Sequence, residues 1–152
     1  MHVLAFHLAE QRYALDLEDV QRVFHAVAFC PLPDMPEQIA GVVNLGGKIL
    51  PVANLRHRLK LPEQRLVPQH RMLRVTVSDC DWLLWVDAVD GVEVYDDSDR
   101  LPASSLPCCP SLLKAFVRLP DGLLLIQDLN LLLSLDEKEM LDDAIAHHIT
   151  SS

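Results

Sequence analysis

Apolar and polar positions alternate with a period of two along most of the chain, which predicts strands. Leu4, Phe6 and Leu8 alternate with Ala5 and His7. Across the short polar link Ala9–Arg12, Tyr13, Leu15 and Leu17 alternate with Ala14 and Asp16. The two runs predict a β-hairpin. A third strand is expected over Val23–Phe29, after which Pro31, Pro33 and Pro36 interrupt any regular element. Two apolar runs, 41–45 and 48–52, flank Gly46-Gly47, the residues of a tight hairpin turn. Pro51 lacks a donor, so its strand is expected at an edge or at a bulge. Asn54 is a good N-cap for a short helix running through Leu55 and Leu59.

The second half begins again in β. Leu73, Val75 and Val77 alternate with Arg74 and Thr76, and Trp82–Val86 is wholly apolar. Val89, Val92 and Val94 continue the strand character, and residues 96–111 predict a loop. A last hairpin is expected around Pro120-Asp121-Gly122, followed by a short helix capped by Asp128. Met140, Leu141, Ala144, Ile145 and His148 recur at helical spacing, which predicts an amphipathic C-terminal helix over 134–150. Residues 49–55 align with 123–129 at an offset of 74: the first four positions are apolar in both, Asn54 falls on Asp128 and Leu55 on Leu129. The expected fold is mainly β: two tandem five-stranded barrels, the first over 1–62 and the second over 69–133, with short helices and the C-terminal helix, acting as a single domain over 1–152. Each half alone holds a marginal core, so the two should pack together.

Charge excludes some functions. A net charge of −9 argues against a generic nucleic-acid binder. Residues 1–76 carry nine Lys/Arg against seven Asp/Glu, whereas 77–152 carry four against fifteen. The apolar runs are too short to span a bilayer, and no secretory signal pattern opens the chain, so a cytoplasmic location is expected. Chemistry-bearing motifs are sparse. Cys30, Cys80, Cys108 and Cys109 have no metal-box spacing. Asp96, Asp97 and Asp99 lack the Gly and closing Glu of a Ca²⁺ loop. His147 and His148 are adjacent and would point about 100° apart on a helix. No cofactor is called for. A small hydrolase using Cys30 or Cys108 with a histidine, and a self-associating barrel protein, are the alternatives to a binding module.

Several segments resemble CheW-like chemotaxis adaptor domains. They are Leu4–Leu8 with Gln11–Leu17 and Val20–Val23, Pro31-Leu32-Pro33 with Ile39–Arg56, Leu84–Val92, and Leu123–Leu133. The resemblance implies two SH3-like barrels and a non-catalytic adaptor that couples a chemoreceptor to a CheA-type histidine kinase. Its implied partners are the regulatory domain of that kinase and the cytoplasmic tip of the receptor, with weak self-association besides. The receptor side would be Val20, Arg22, Val23, Val43, Asn44, Leu45, Gly46 and Gly47. This chain departs from the family at Arg22, where an acid is common, at Gly46, where Arg is common, and at Asn54, where Asp is common. A divergent paralogue serving a pilus or other chemosensory pathway fits those departures.

Overall fold

The computed structural model describes residues 1–107 and 112–133; the C-terminal helix expected over 134–150 and the Cys108-Cys109 pair lie outside the described residues. Eleven strands form among them: β1 His2–Leu8, β2 Gln11–Asp16, β3 Val20–His25, β4 Ile39–Leu45, β5 Lys48–Ala53, β6 Arg71–Val77, β7 Cys80–Val86, β8 Ala88–Val94, β9 Arg100–Pro102, β10 Leu113–Leu119 and β11 Gly122–Gln127. Two short helices, α1 Leu55–Arg58 and α2 Leu129–Leu132, follow β5 and β11. Asn54 accepts from the His57 amide and Asp128 from the Leu131 amide, so the two expected caps form alike.

The strands make two sheets. The first runs β8-β1-β2-β11-β10-β9 and the second β3-β6-β7-β5-β4. The second has the expected five strands; the first has a sixth, because β9 extends it beyond β10. The orders correspond strand for strand. β1, β2 and β3 recur as β6, β7 and β8 at an offset of 69 residues, aligning Leu4 with Leu73, Tyr13 with Trp82 and Val20 with Val89. β4, β5 and α1 recur as β10, β11 and α2 at an offset of 74. The five extra residues fall between β8 and β10, where β9 sits.

The expected division into a barrel over 1–62 and another over 69–133 is therefore corrected. Those ranges are the two repeats, but each repeat gives its first hairpin to the other repeat's sheet. β1 and β2 pair with β8 and, in parallel, with β11. β6 and β7 pair with β3 and, in parallel, with β5. Burial explains why the exchange is stable. Each sheet curls around a core of its own: Val3, Ala5, Ala14, Val117, Leu124 and Ile126 in the first, and Val43, Leu50, Val52, Met72, Leu83 and Trp85 in the second. The opposite faces of the exchanged hairpins meet in one shared core, which takes Leu4, Phe6, Leu8, Tyr13 and Leu15 from the first sheet and Leu73, Val75, Val77, Trp82, Leu84 and Val86 from the second. A strand covered on both faces needs apolar residues in succession, which is why Trp82–Val86 has no polar position.

Two further expectations change. β3 starts earlier than Val23, directly after a 3-10 turn at Leu17–Asp19, and ends at His25. Pro51 is not on an edge: β5 lies between β7 and β4. Val42, its ladder partner, turns both its backbone groups outward to Cys30. The nitrogen of Pro51 thus faces the β7 side, where pairing begins one residue later at Val52. The missing donor falls just ahead of that ladder.

Candidate docking surface

Among the described residues the two sheets end in corresponding edge strands, β3 and β8, each hydrogen-bonded on one side only. A bulge at the same repeat position, Gln21 in β3 and Asp90 in β8, offsets each ladder. On either side of the β3 bulge, Val20 and Val23 stand opposite Val75 and Leu73, on the shared-core face. Val20 packs against the shared core, while Val23 remains 41% exposed. Their counterparts in β8 behave likewise: Val89 packs against the shared core and Val92 is 53% exposed, and Val94, two residues farther on, is 65% exposed. One central core thus feeds two half-covered valine edges. Exposed valines on strand edges with unpaired backbone groups are suited to covering by a partner. The β8 valines were not nominated from the sequence; the 69-residue offset of Val89 and Val92 from Val20 and Val23 is the signal that marks this edge.

Arg22 lies on the other face of β3, opposite Arg74, with its guanidinium 5.1 Å from the ring centroid of Phe24. Arg74 binds Asp81 at 2.6 Å and Lys48 reaches the same carboxylate at 3.2 Å. Thr76 donates to its other oxygen at 2.7 Å, and Gln21 at 3.3 Å. Burial pushes the Asp81 carboxyl up, but the hydrogen bonds from Thr76, Arg74 and Lys48 outweigh it and hold it at about 2. Lys48 opens β5 directly after the Asn44–Gly47 turn, where Asn44 Oδ1 accepts from the Gly47 amide at 2.8 Å. Gly46 and Gly47 take φ of 60° and 91° there, conformations that glycine adopts without strain.

The eight nominated residues therefore divide. Val20 and Val23 belong to the valine edge. Arg22, Asn44, Gly46 and Gly47 are exposed around the Asp81 cluster. Leu45 is half-buried against the inner core of the second sheet. Val43 is corrected to a core residue, 5% exposed, because its side chain points into that curled sheet.

A second polar cluster escaped the sequence reading. Arg56, the second residue of α1, is 3% exposed and donates to Asp87 and, at 2.7 Å, to Gln64. Trp85 Nε1 donates to His70 Nδ1 at 2.9 Å, and His70 Nε2 lies 3.7 Å from Asp87. Burial, joined by the charge of Arg56, pulls His70 below its usual pKa despite Asp87. The cluster secures the connector 62–70 to the point where β7 passes into β8. It is a structural device with no open site. Cys30 is exposed, and its thiol contacts the Pro31 carbonyl oxygen at 3.6 Å. Among the described residues no group of three or more His, Cys, Asp or Glu is arranged to hold a metal ion. No helix among them is long and apolar enough to cross a membrane.

Two curled sheets whose edge strands carry exposed valines offer surfaces suited to docking another protein. The family described as CheW-like domain matches residues 2–137, and the chain belongs to that family. It is 25% identical over 104 residues to the chemotaxis protein CheW of Rhizobium meliloti, covering 68% of this chain and 67% of that protein. It is 27% identical over 97 residues to the chemotaxis protein CheW of Bacillus subtilis, covering 64% and 62%. The crystal structure of the scaffolding protein TtCheW from Thermoanaerobacter tengcongensis matches with a TM-score of 0.82 at 30% identity, over 92% of this chain and 97% of that one. These likenesses support a chemotaxis scaffold or adaptor.

Proposed function

We propose that this chain is a cytoplasmic, non-catalytic adaptor coupling the tip of a chemoreceptor to the regulatory domain of a CheA-type histidine kinase. The pathway is a chemotaxis or related chemosensory one, pilus-linked systems included. The observation that carries the reading is the pair of half-exposed valine edges, Val20 and Val23 on β3 and Val89, Val92 and Val94 on β8, rooted in one shared core. The receptor side takes in Val20, Arg22, Val23, Asn44, Leu45, Gly46 and Gly47, with Val43 supporting them from within. Covering one valine fully is worth about 1.5–3 kcal/mol, so two or three of them supply a useful share of a micromolar contact of about 8 kcal/mol.

Calorimetric titration against a receptor-tip fragment and a CheA regulatory domain from the same organism tests this. Val23→Asp should weaken receptor binding at least about tenfold, from the loss of about 1.4 kcal/mol or more. Failure of the parent chain to bind either protein overturns the reading.

A further inference from the structure

We infer that the β3 edge takes a partner segment that sets a carboxylate against Arg22 and apolar side chains against Val20 and Val23, so that charge decides which partner reaches this edge. The inference rests on the receptor-side reading of β3 given above and names the chemistry of the receptor face that fits it: an acidic residue within an apolar stretch.

The two valine edges share one apolar pattern. Val20 and Val23 correspond to Val89 and Val92 at the 69-residue offset, and β3 pairs with β6 as β8 pairs with β1. Their charges are opposite. β3 and β6 hold Arg22, Arg71 and Arg74 and no Asp or Glu; β8 and β1 hold Asp90 and Glu93 and no Lys or Arg. Three arginines without a carboxylate stand out in a chain whose net charge is −9. A segment whose apolar residues suit both edges meets charge of the wrong sign at one of them.

The charges at the two edges are also answered differently. On β8, Glu93 is bound by Arg12 at 2.5 Å, and Asp90 has His7 Nδ1 at 2.9 Å and Arg12 at 3.6 Å. On β6, Arg74 has Asp81 at 2.6 Å, and Arg71 donates to the carbonyl oxygens of Pro68, Gln69 and His70. Arg22 is the exception. Among the described residues no carboxylate or carbonyl accepts from it; it stands opposite Arg74 in the ladder and rests on the ring of Phe24. Asp81 is committed elsewhere, its two oxygens taking Arg74, Lys48, Thr76 and Gln21. Like charges opposite one another in a ladder are destabilising, and Asp81 offsets only the Arg74 side. A carboxylate arriving from a partner relieves that repulsion and pairs with a guanidinium that Phe24 already orients.

Calorimetric titration of a receptor-tip fragment from the same organism into the parent chain, Arg22→Gln and Arg22→Glu tests this. At about 0.1 M salt, Arg22→Gln should bind about three- to fivefold more weakly and Arg22→Glu about tenfold more weakly. Raising salt to about 1 M should narrow the gap between Arg22→Glu and the parent to about twofold. Both variants should keep at least the Tm of the parent, because Arg22 is exposed and its ladder neighbour is another arginine. Changing the carboxylates of the tip to lysine one at a time should yield a tip that prefers Arg22→Glu to the parent. A parent chain that binds no receptor tip removes the receptor-side reading and this inference with it. A parent that binds the tip while Arg22→Glu binds equally well, or while no altered tip prefers Arg22→Glu, overturns this inference and leaves that reading standing. A lowered Tm in both variants makes Arg22 a structural residue and likewise overturns it.

Discussion

Asp87 is the residue at which the chain passes from β7 in the second sheet to β8 in the first. Its carboxylate accepts from Arg56 Nη2 and, through Oδ2, from the Ala9 amide at 2.8 Å, while its own amide donates to the His7 carbonyl at 3.1 Å. Asp87→Asn keeps the shape and removes the charge. The Arg56 guanidinium cannot shed its proton, so it stays cationic where only 3% of the residue is exposed. Its remaining supports are Gln64 at 2.7 Å and the face of Trp85, 5.9 Å from the ring centroid; Nη1 has no hydrogen-bond partner.

Removing one member of a buried pair costs about 3–5 kcal/mol, because the other charge is left uncompensated. Asp87 is 17% exposed and water reaches it, which puts the expected cost near the lower bound, about 3 kcal/mol. That is a large fraction of a typical stability of about 5–15 kcal/mol, and corresponds to a fall in Tm of about 6–12 °C for a chain of this size. Urea unfolding of Asp87→Asn, Arg56→Met and the double variant at pH 7 gives the coupling. The double variant should recover most of the loss, since an apolar side chain replaces the buried cation. A single Asp87→Asn variant within about 0.5 kcal/mol of the parent, or a double variant no better than the sum of the singles, refutes the assignment.

Gly41→Ala should cost about 1–3 kcal/mol by thermal unfolding, because the added Cβ would lie 2.8 Å from both the Cys30 carbonyl oxygen and Phe29 Cδ2 and so press apart the bridge between Cys30 and Val42. His70 is depressed in the folded state, so the unfolded chain binds its proton first as pH falls; the stability it contributes is complete above pH 6.5 and declines below it. His70→Phe should flatten that part of a urea-midpoint profile while losing the Trp85 hydrogen bond at every pH. Asp81 has the same sign in a more acidic window. Its contribution is present above about pH 3.8 and is lost as pH falls through about 2, so Asp81→Asn should lower stability at pH 6 and reduce the slope of acid unfolding. Fragments cut at residue 65 should each be unfolded by amide exchange and regain protection on mixing, because each sheet draws a hairpin from the other fragment.

Local features were legible because their causes are local. The β1–β2 hairpin follows from alternation around a polar link, the β4–β5 turn from Gly46-Gly47, and the starts of α1 and α2 from Asn54 and Asp128. The Arg56–Asp87–His70 cluster was not, although Arg56 and Asp87 stand in family-like segments. Its members are 14 to 31 residues apart in the sequence and share no periodicity, and only the passage of β7 into β8 brings them together. Pro51 misled for a related reason. A proline reports a missing donor but not which side of the strand that donor would have faced, and here it faces the stretch before β7 begins to pair.

The exchange of hairpins marks the boundary of what a repeat can reveal. The 74-residue offset is correct for β5 and α1, and the 69-residue offset is equally present, with Leu4, Tyr13, Leu15 and Val20 aligned on Leu73, Trp82, Leu84 and Val89. Both offsets are compatible with hairpins kept at home and with hairpins exchanged, because the copies have the same pattern and would satisfy the same ladders. The decision rests on connections. Only the three residues Leu17–Asp19 separate β2 from β3, and Asp87 alone separates β7 from β8. In the fold each of these links carries the chain directly from one sheet into the other. The central strands β2 and β7 thereby set one face against the shared core and the other against their own sheet's interior. The same two links place the beginnings of β3 and β8 against that core, so the geometry that exchanges the hairpins also roots the two exposed valine edges in a single core.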